Sequence, residues 1–93
     1  MDLGFEWDPK KAVANERKHK VSFEEASSVF ADPLATTIFD PLHSDDEDRF
    51  VSIGISGKGR LVVVNFTDRG ERIRIISARV ASKQERKQYE EDS

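Results

Sequence analysis

The sequence predicts an α+β fold, in which an antiparallel β-sheet of about four main strands carries two N-terminal helices on one face and ends in a C-terminal helix. Helix-capping signals near both ends of the chain predict the helices. Alternating apolar segments fill the second half, and short glycine-containing turns join the last three of them into a meander. With 93 residues, the chain is expected to form a single domain spanning positions 1–93.

The N-terminal third predicts a short strand followed by two helices. Residues 5–7 alternate apolar and polar side chains, as a strand does. Asp8-Pro9 then predicts the start of a helix that runs to about Lys18, because Asp is a favoured N-cap and Pro suits the first helical position. The segment 22–25 has the capping-box pattern and predicts a second helix ending near Phe30.

The rest of the chain predicts four strands and a final helix. A capping box at 82–85 begins that helix, which is expected to run through about Glu90. Among the aromatic residues, Trp7 and the phenylalanines at 23, 30, 39 and 66 are expected in the core rather than on a base-stacking surface. The predicted strands cover 36–39, 49–56, 61–66 and 72–79, with turns at 57–59 and 68–70.

The net charge of −3 conceals an asymmetry along the chain. Residues 1–57 hold twelve Asp and Glu against six Lys and Arg, whereas residues 58–93 hold six against nine. Between positions 69 and 87 the balance is seven basic residues to two acidic ones. Because affinity for nucleic acid depends on local phosphate contacts, the acidic average does not exclude a basic working surface.

Three arginines at 72, 74 and 79 interrupt the last predicted strand, and Arg69 lies in the turn before it. A planar guanidinium group matches phosphate oxygens well, so the pattern indicates a phosphate-rich ligand, RNA or DNA. In an unbroken strand Arg72 and Arg74 share one face and Arg79 lies on the other, unless the strand ends or bulges near Ser77. The alternative is a solvated edge strand whose arginines pair with Glu71 or Glu47 and discourage aggregation.

Several classes of function are disfavoured by composition. The chain has no cysteine, which excludes disulfides and thiolate metal sites, and we expect no cofactor. The acidic loop at 40–48, with His43, lacks EF-hand spacing, so no metal site is predicted. No apolar run has the length of a membrane span and the N-terminus lacks a signal-peptide pattern, so a cytoplasmic protein without a membrane partner is expected.

A series of motifs runs along nearly the whole chain: residues 5–10, Asn15, Lys18-His19, and residues 22–26, 30–33, 47–49, 53–56 and 74–79. In this order the motifs resemble the BrnT toxin family. The resemblance implies a RelE-like fold and a metal-independent endoribonuclease that arrests translation, as the toxin of a type II toxin–antitoxin pair. A non-catalytic module that binds an antitoxin or nucleic acid through the same basic face is the alternative.

The resemblance also implies partners and site residues. The partner is a BrnA-type antitoxin, which neutralises a toxin dimer within a heterotetramer and alone supplies DNA binding. Lys18 or His19 is the preferred base for the 2′-hydroxyl proton, and Arg74 with Arg79 the preferred phosphate clamp. The implied catalytic positions are Lys18, His19, Glu47, Arg49, Arg74 and Arg79, and the implied RNA-binding positions are Arg69, Arg72, Lys83 and Tyr89.

Overall fold

A computed structural model describes residues 4–43 and 47–92 and confirms the α+β class. Residues 44–46 of the acidic loop lie outside the described ranges. Two short 3₁₀ turns, Val29–Ala31 and Pro41–His43, accompany the main elements. In chain order those elements are β1 (Gly4–Glu6), α1 (Pro9–His19), α2 (Phe23–Ser28), β2 (Thr36–Asp40), β3 (Arg49–Ile55), β4 (Leu61–Asp68), β5 (Arg72–Val80) and α3 (Lys83–Asp92).

The strands form one mixed sheet in the order β1-β5-β4-β3-β2. The pairs β2–β3, β3–β4 and β4–β5 are antiparallel, as the predicted meander requires. The prediction of a purely antiparallel sheet with about four main strands was wrong in one respect, because β1 adds a fifth strand that runs parallel to β5. Its three residues pair with a segment almost seventy positions away, and a local sequence pattern does not report such a distant partner.

Helix α1 begins and ends at the signals in the sequence and also closes part of the sheet edge. The Asp8 carboxylate accepts a hydrogen bond from the Lys10 amide at 2.8 Å, and Lys20 ends the helix in a left-handed conformation. Within α1, the buried Asn15 amide donates to the Ala78 carbonyl at 2.8 Å and accepts from the Ala78 amide at 3.1 Å. Asn15 therefore provides hydrogen-bond partners for the backbone of β5 beyond the point where its pairing with β1 ends.

The hydrophobic core lies between the sheet and the two N-terminal helices. Trp7 and Phe30 are partly buried and pack against it, as expected. Phe39 was expected in the core but is 48% exposed, because β2 is an edge strand. One side of the Phe39 ring still packs against Phe50. The buried cluster comprises Val21, Phe23, Ala26, Val29, Val62, Val64, Phe66, Ile75 and Ala78.

A buried carboxylate fastens α2 to the β3–β4 hairpin. The Ser22 hydroxyl caps α2 by accepting from the Glu25 amide at 3.0 Å, but the Glu25 carboxylate does not complete the capping box. Instead it accepts from Arg60 Nε at 2.9 Å and from the Ser56 hydroxyl at 2.7 Å. The hydrogen bond from Arg60 lowers the pKa of Glu25 despite its burial.

A β-bulge in β5 decides which way the arginines point. Asn65 pairs with Ser77 and the next β4 residue, Phe66, pairs with Ile75, so Ile76 is an extra residue in β5. Ile75 and Ala78 consequently both face the core. Arg74, Ser77 and Arg79 then share the opposite side of the sheet, which we call the distal face. The bulge falls where the sequence required one for the two arginines to lie on the same side.

Candidate functional site

A row of polar residues crosses all five strands on the distal face. The register places Glu6 beside Arg74, Arg74 beside Thr67, Thr67 beside Arg49 and Arg49 beside Asp40. We call this set the transverse row. Its charges run negative, positive, neutral, positive, negative. Neighbouring strands in a sheet lie about 4.8 Å apart. The two arginines and two carboxylates of the transverse row therefore lie close together on the distal face.

A small polar pocket adjoins the transverse row. Asn65 donates from its side-chain amide to the Ser77 hydroxyl at 3.1 Å, directly beside the bulge. These two residues, with Asp40, Arg49 and Ile76, line a cavity of about 280 Å³. The pocket therefore combines a guanidinium group, a carboxylate and neutral hydrogen-bonding groups, a mixture that suits a polar ligand.

Arg74 in β5 and Arg69 in the preceding turn are held by carboxylates. Arg74 donates to Glu6 at 3.0 Å. Arg69 donates to Glu47 at 3.1 Å and lies 3.9 Å from the same Glu6 carboxylate. The structure therefore brings Glu47, Arg69 and Arg74 into one ion-pair chain at the end of the sheet, and the Arg69–Glu47 pair is one that the alternative of a solvated strand predicted.

Arg79 forms a bidentate ion pair with the first turn of α3. Its two terminal nitrogens donate to the two oxygens of Glu85 at 2.7 and 2.9 Å. Glu85 also completes a capping box, because its carboxylate accepts from the Ser82 amide at 2.9 Å while its own amide donates to the Ser82 hydroxyl at 3.2 Å. The hydrogen bonds from Arg79 lower the pKa of Glu85 to about 2, and the same contact raises the pKa of Arg79.

Helix α3 covers the apolar half of the distal face. A groove of about 240 Å³ lies between the side chains of the sheet and those of α3. Tyr89 donates its hydroxyl to Asp32 at 2.7 Å, which raises the pKa of Tyr89. The pKa of Asp32 is lowered mainly by the hydrogen bond from the Ile55 amide and further by the one from Tyr89. The groove is lined by Thr36, Ile38, Val51, Ile53, Val63, Glu85, Gln88 and Tyr89.

The remaining predicted residues lie outside the transverse row. Arg72 donates to the Phe5 carbonyl at 3.3 Å at the β1 edge, and Lys83 is exposed at the start of α3. Lys18 and His19 end α1, which packs on the core side of the sheet, opposite the arginines; Lys18 is exposed and His19 is half-buried. Within the described ranges, the side chains of Arg74 and Arg79 donate to Glu6 and Glu85, and no hydrogen bond joins either arginine to Lys18 or His19.

Sequence reasoning missed the polar residues that share the distal face with the arginines. The set comprises Glu6, Asp40, Asn65, Thr67, Ser77 and Glu85. Asn65 and Thr67 gave one usable signal, since they alternate with apolar residues at the end of an otherwise continuous apolar strand. That signal was lost because β4 was expected to end at Phe66 rather than at Asp68.

Neither a metal-binding cluster nor a membrane-spanning helix is found within residues 4–43 and 47–92. No group of three or more His, Cys, Asp or Glu side chains there is arranged to hold a metal ion. None of the helices in that part of the chain combines the length and hydropathy needed to cross a bilayer.

Comparison with known proteins places the chain in a family. The model of the BrnT ribonuclease toxins of type II toxin–antitoxin systems matches residues 7–85. A crystal structure of the ribonuclease toxin BrnT from Brucella abortus is similar, with a TM-score of 0.63 and 22% identity, over 88% of this chain and 100% of that one. A comparison with curated proteins found no match. With 79 of its 93 residues inside the family match, the chain belongs to the BrnT family of ribonuclease toxins.

Proposed function

We propose that this chain is a metal-independent endoribonuclease that cleaves RNA in the cytoplasm and thereby arrests translation. A BrnA-type antitoxin neutralises it, within a heterotetramer built on a toxin dimer, and provides the only contact with DNA. The observation that carries the proposal is the alignment of Arg49, Arg74 and Arg79 on one face of a rigid sheet. The bulge at Ile76 brings Arg79 to the same face as Arg74.

The proposed reaction needs a base, a proton donor and fixed cations. A base takes the proton of the RNA 2′-hydroxyl, the 2′-oxygen bonds to the adjacent phosphorus as the P–O5′ bond breaks, and a general acid or water protonates the leaving 5′-oxygen. Negative charge grows on the non-bridging oxygens during this step, and fixed guanidinium groups stabilise it. Lys18 or His19 is assigned as the base.

The spacing of the arginines defines how they meet the RNA. Arg74 pairs with Thr67 and Arg79 with Val63, four residues apart on β4. Their backbones are therefore roughly 13 Å apart along the strand. Both guanidinium groups reach a single phosphate only if they turn towards the Ser77–Asn65 pair between them.

Carboxylates occupy these arginines before RNA binds. Glu6 holds Arg74, and Glu85 holds Arg79 through both terminal nitrogens. Phosphate oxygens accept from a guanidinium group in the same fork geometry as a carboxylate. Substrate phosphates are therefore proposed to displace Glu6 and Glu85, which keep the arginines extended across the distal face until then.

The test compares RNA cleavage by the wild-type protein and by Arg79→Ala, with Lys11→Ala as a matched loss of an exposed cation. Induced expression without the antitoxin should arrest growth and fragment RNA, and co-expression of the antitoxin should prevent both. Cleavage by the purified protein should persist in EDTA, vanish in Arg79→Ala and remain in Lys11→Ala. Folded protein that leaves RNA intact at every concentration would refute the catalytic assignment.

The alternative is a binding module without catalysis, and one observation favours it. Arg74 and Arg79 already donate to carboxylates, so acidic side chains of an antitoxin would suit them as well as phosphates do. Tight antitoxin binding by a folded protein that cleaves no RNA would support this alternative.

A further inference from the structure

Thr67 stands at the centre of the transverse row and has an unusual hydroxyl. The residue is 0% exposed, and within the described ranges its Oγ1 is the buried side-chain atom without a hydrogen-bond partner. Other buried polar side chains in those ranges are bonded: Ser52 to Thr37 at 2.5 Å and Ser56 to Glu25 at 2.7 Å. A buried hydroxyl without a partner is costly, so its presence calls for a reason.

Packing alone does not account for a threonine at this position. Thr67 follows Phe66 at the end of a strand whose preceding apolar residues are mostly valines, and valine has the same shape without the hydroxyl. Burial of valine also costs less free energy than burial of threonine without a hydrogen-bond partner, because valine has no polar group to desolvate. Packing therefore favours valine, and the hydroxyl needs a different explanation.

The two cross-strand neighbours of Thr67 supply that explanation. Arg74 on β5 and Arg49 on β3 each pair with it, so the hydroxyl lies between two guanidinium-bearing side chains on the same face. Because Thr67 is 0% exposed, a ligand reaches its hydroxyl only after the longer side chains of Arg49 and Arg74 move apart. Once Arg74 has left Glu6, a phosphate oxygen between the two arginines meets N–H donors on two sides and an O–H donor below, which is the environment that it prefers.

We propose that Thr67 is a phosphate-binding residue, which donates its hydroxyl hydrogen to a non-bridging oxygen of the RNA phosphate held by Arg49 and Arg74. The inference rests on the proposed ribonuclease function and makes the Arg49–Thr67–Arg74 segment of the transverse row the main phosphate subsite. Arg79, roughly 13 Å away along the strand, then holds a neighbouring part of the same RNA.

The test uses Thr67→Val, which removes the hydroxyl at constant shape, and Thr67→Ser, which retains it. Each protein is assayed for kcat/KM on an RNA oligonucleotide, for its Kd with the fully 2′-deoxy oligonucleotide of the same sequence, and for Tm. A hydrogen bond to a charged phosphate is worth about ten- to a hundredfold in affinity. We expect losses of that size in both kcat/KM and affinity for Thr67→Val, a Tm equal to or above the wild-type value, and recovery to about threefold of wild type in Thr67→Ser.

Each other result has a defined meaning. If Thr67→Val cleaves and binds as the wild type does, the inference is overturned while the ribonuclease function stands. If the wild type binds the deoxy oligonucleotide through Thr67 but cleaves no RNA, the phosphate subsite stands and the catalytic proposal fails. Absence of both binding and cleavage by folded wild-type protein overturns both. Should Thr67→Val not fold, the difference between Thr67→Ala and Thr67→Ser isolates the same hydroxyl.

Discussion

The ion pair between Glu85 and Arg79 should contribute a pH-dependent part of the stability of this protein. Replacement of Glu85 by Gln keeps the shape of the side chain and an oxygen for the Ser82 amide but removes the charge. The folded-state pKa of Glu85 is about 2 against an ordinary value of 4.5. Because this folded-state pKa is depressed, the stabilisation is complete above pH 4.5 and is lost as the pH falls towards 2.

The size of the effect follows from the pKa and from exposure. A depression from 4.5 to about 2 corresponds to roughly 3 kcal/mol if no charge is screened. Glu85 and Arg79 expose 31% and 43% of their side-chain surfaces, so solvent screening reduces the expected contribution to about 1 kcal/mol. We therefore expect Glu85→Gln to lower the free energy of unfolding by about 1 kcal/mol at pH 7.

Urea unfolding of the wild type and of Glu85→Gln between pH 7 and pH 2 measures this difference directly. The two curves should converge as the pH falls below 4.5, with convergence completed near pH 2. Glu90→Gln, on the same helix and exposed, provides the matched control and should follow the wild type throughout. A difference that stays constant down to pH 2, or that is absent at pH 7, would refute the assignment of Glu85 as the charged partner of Arg79.

Three further predictions concern the elements that support the distal face. Asn15→Ala should lower the free energy of unfolding in urea by about 3 kcal/mol, because buried backbone groups of β5 lose their partner; a loss below about 1 kcal/mol would contradict that role. Glu25→Gln should lower Tm at pH 7, and the deficit should shrink as the pH falls below 4.5, since the bond from Arg60 depresses the pKa of Glu25. Arg74→Ala should reduce RNA cleavage at least tenfold with little change in Tm. The control Lys11→Ala should change neither cleavage nor Tm. Equal losses of cleavage in the two variants would indicate a general charge effect and contradict the role of Arg74.

The order of helices and strands was predictable because each signal is local. Asp8 and Ser22 cap the helices that the sequence assigned to them, and Gly59 and Gly70 adopt the left-handed conformation at their turns. The sequence also showed what decides whether Arg74 and Arg79 share a face, namely whether β5 has an irregularity between them. Strand alternation is strictly twofold, so an odd separation between them required an irregularity, and the structure has one at Ile76.

The contacts of the site were not predictable because they join segments that are distant in the sequence. Glu6 reaches Arg74 through a parallel pairing of a three-residue strand. Tyr89 reaches Asp32 across 57 positions and fixes α3 over the apolar half of the distal face. No periodicity in either segment encodes such a partner, and only the completed sheet brings the groups together.

The carboxylates on the distal face link stability to the proposed activity. An arginine cluster without counter-charges repels itself, and the partners of Arg74 and Arg79 relieve that repulsion in the folded protein. The same partners compete with RNA phosphates, so substrate affinity measures a difference between two anions and not the full strength of the arginine contacts. Removal of Glu85 should therefore weaken the fold and strengthen RNA binding in the same variant. Removal of a purely structural ion pair would change stability alone. A loss of stability together with a gain in RNA affinity would therefore show that Arg79 both stabilises the fold and binds RNA.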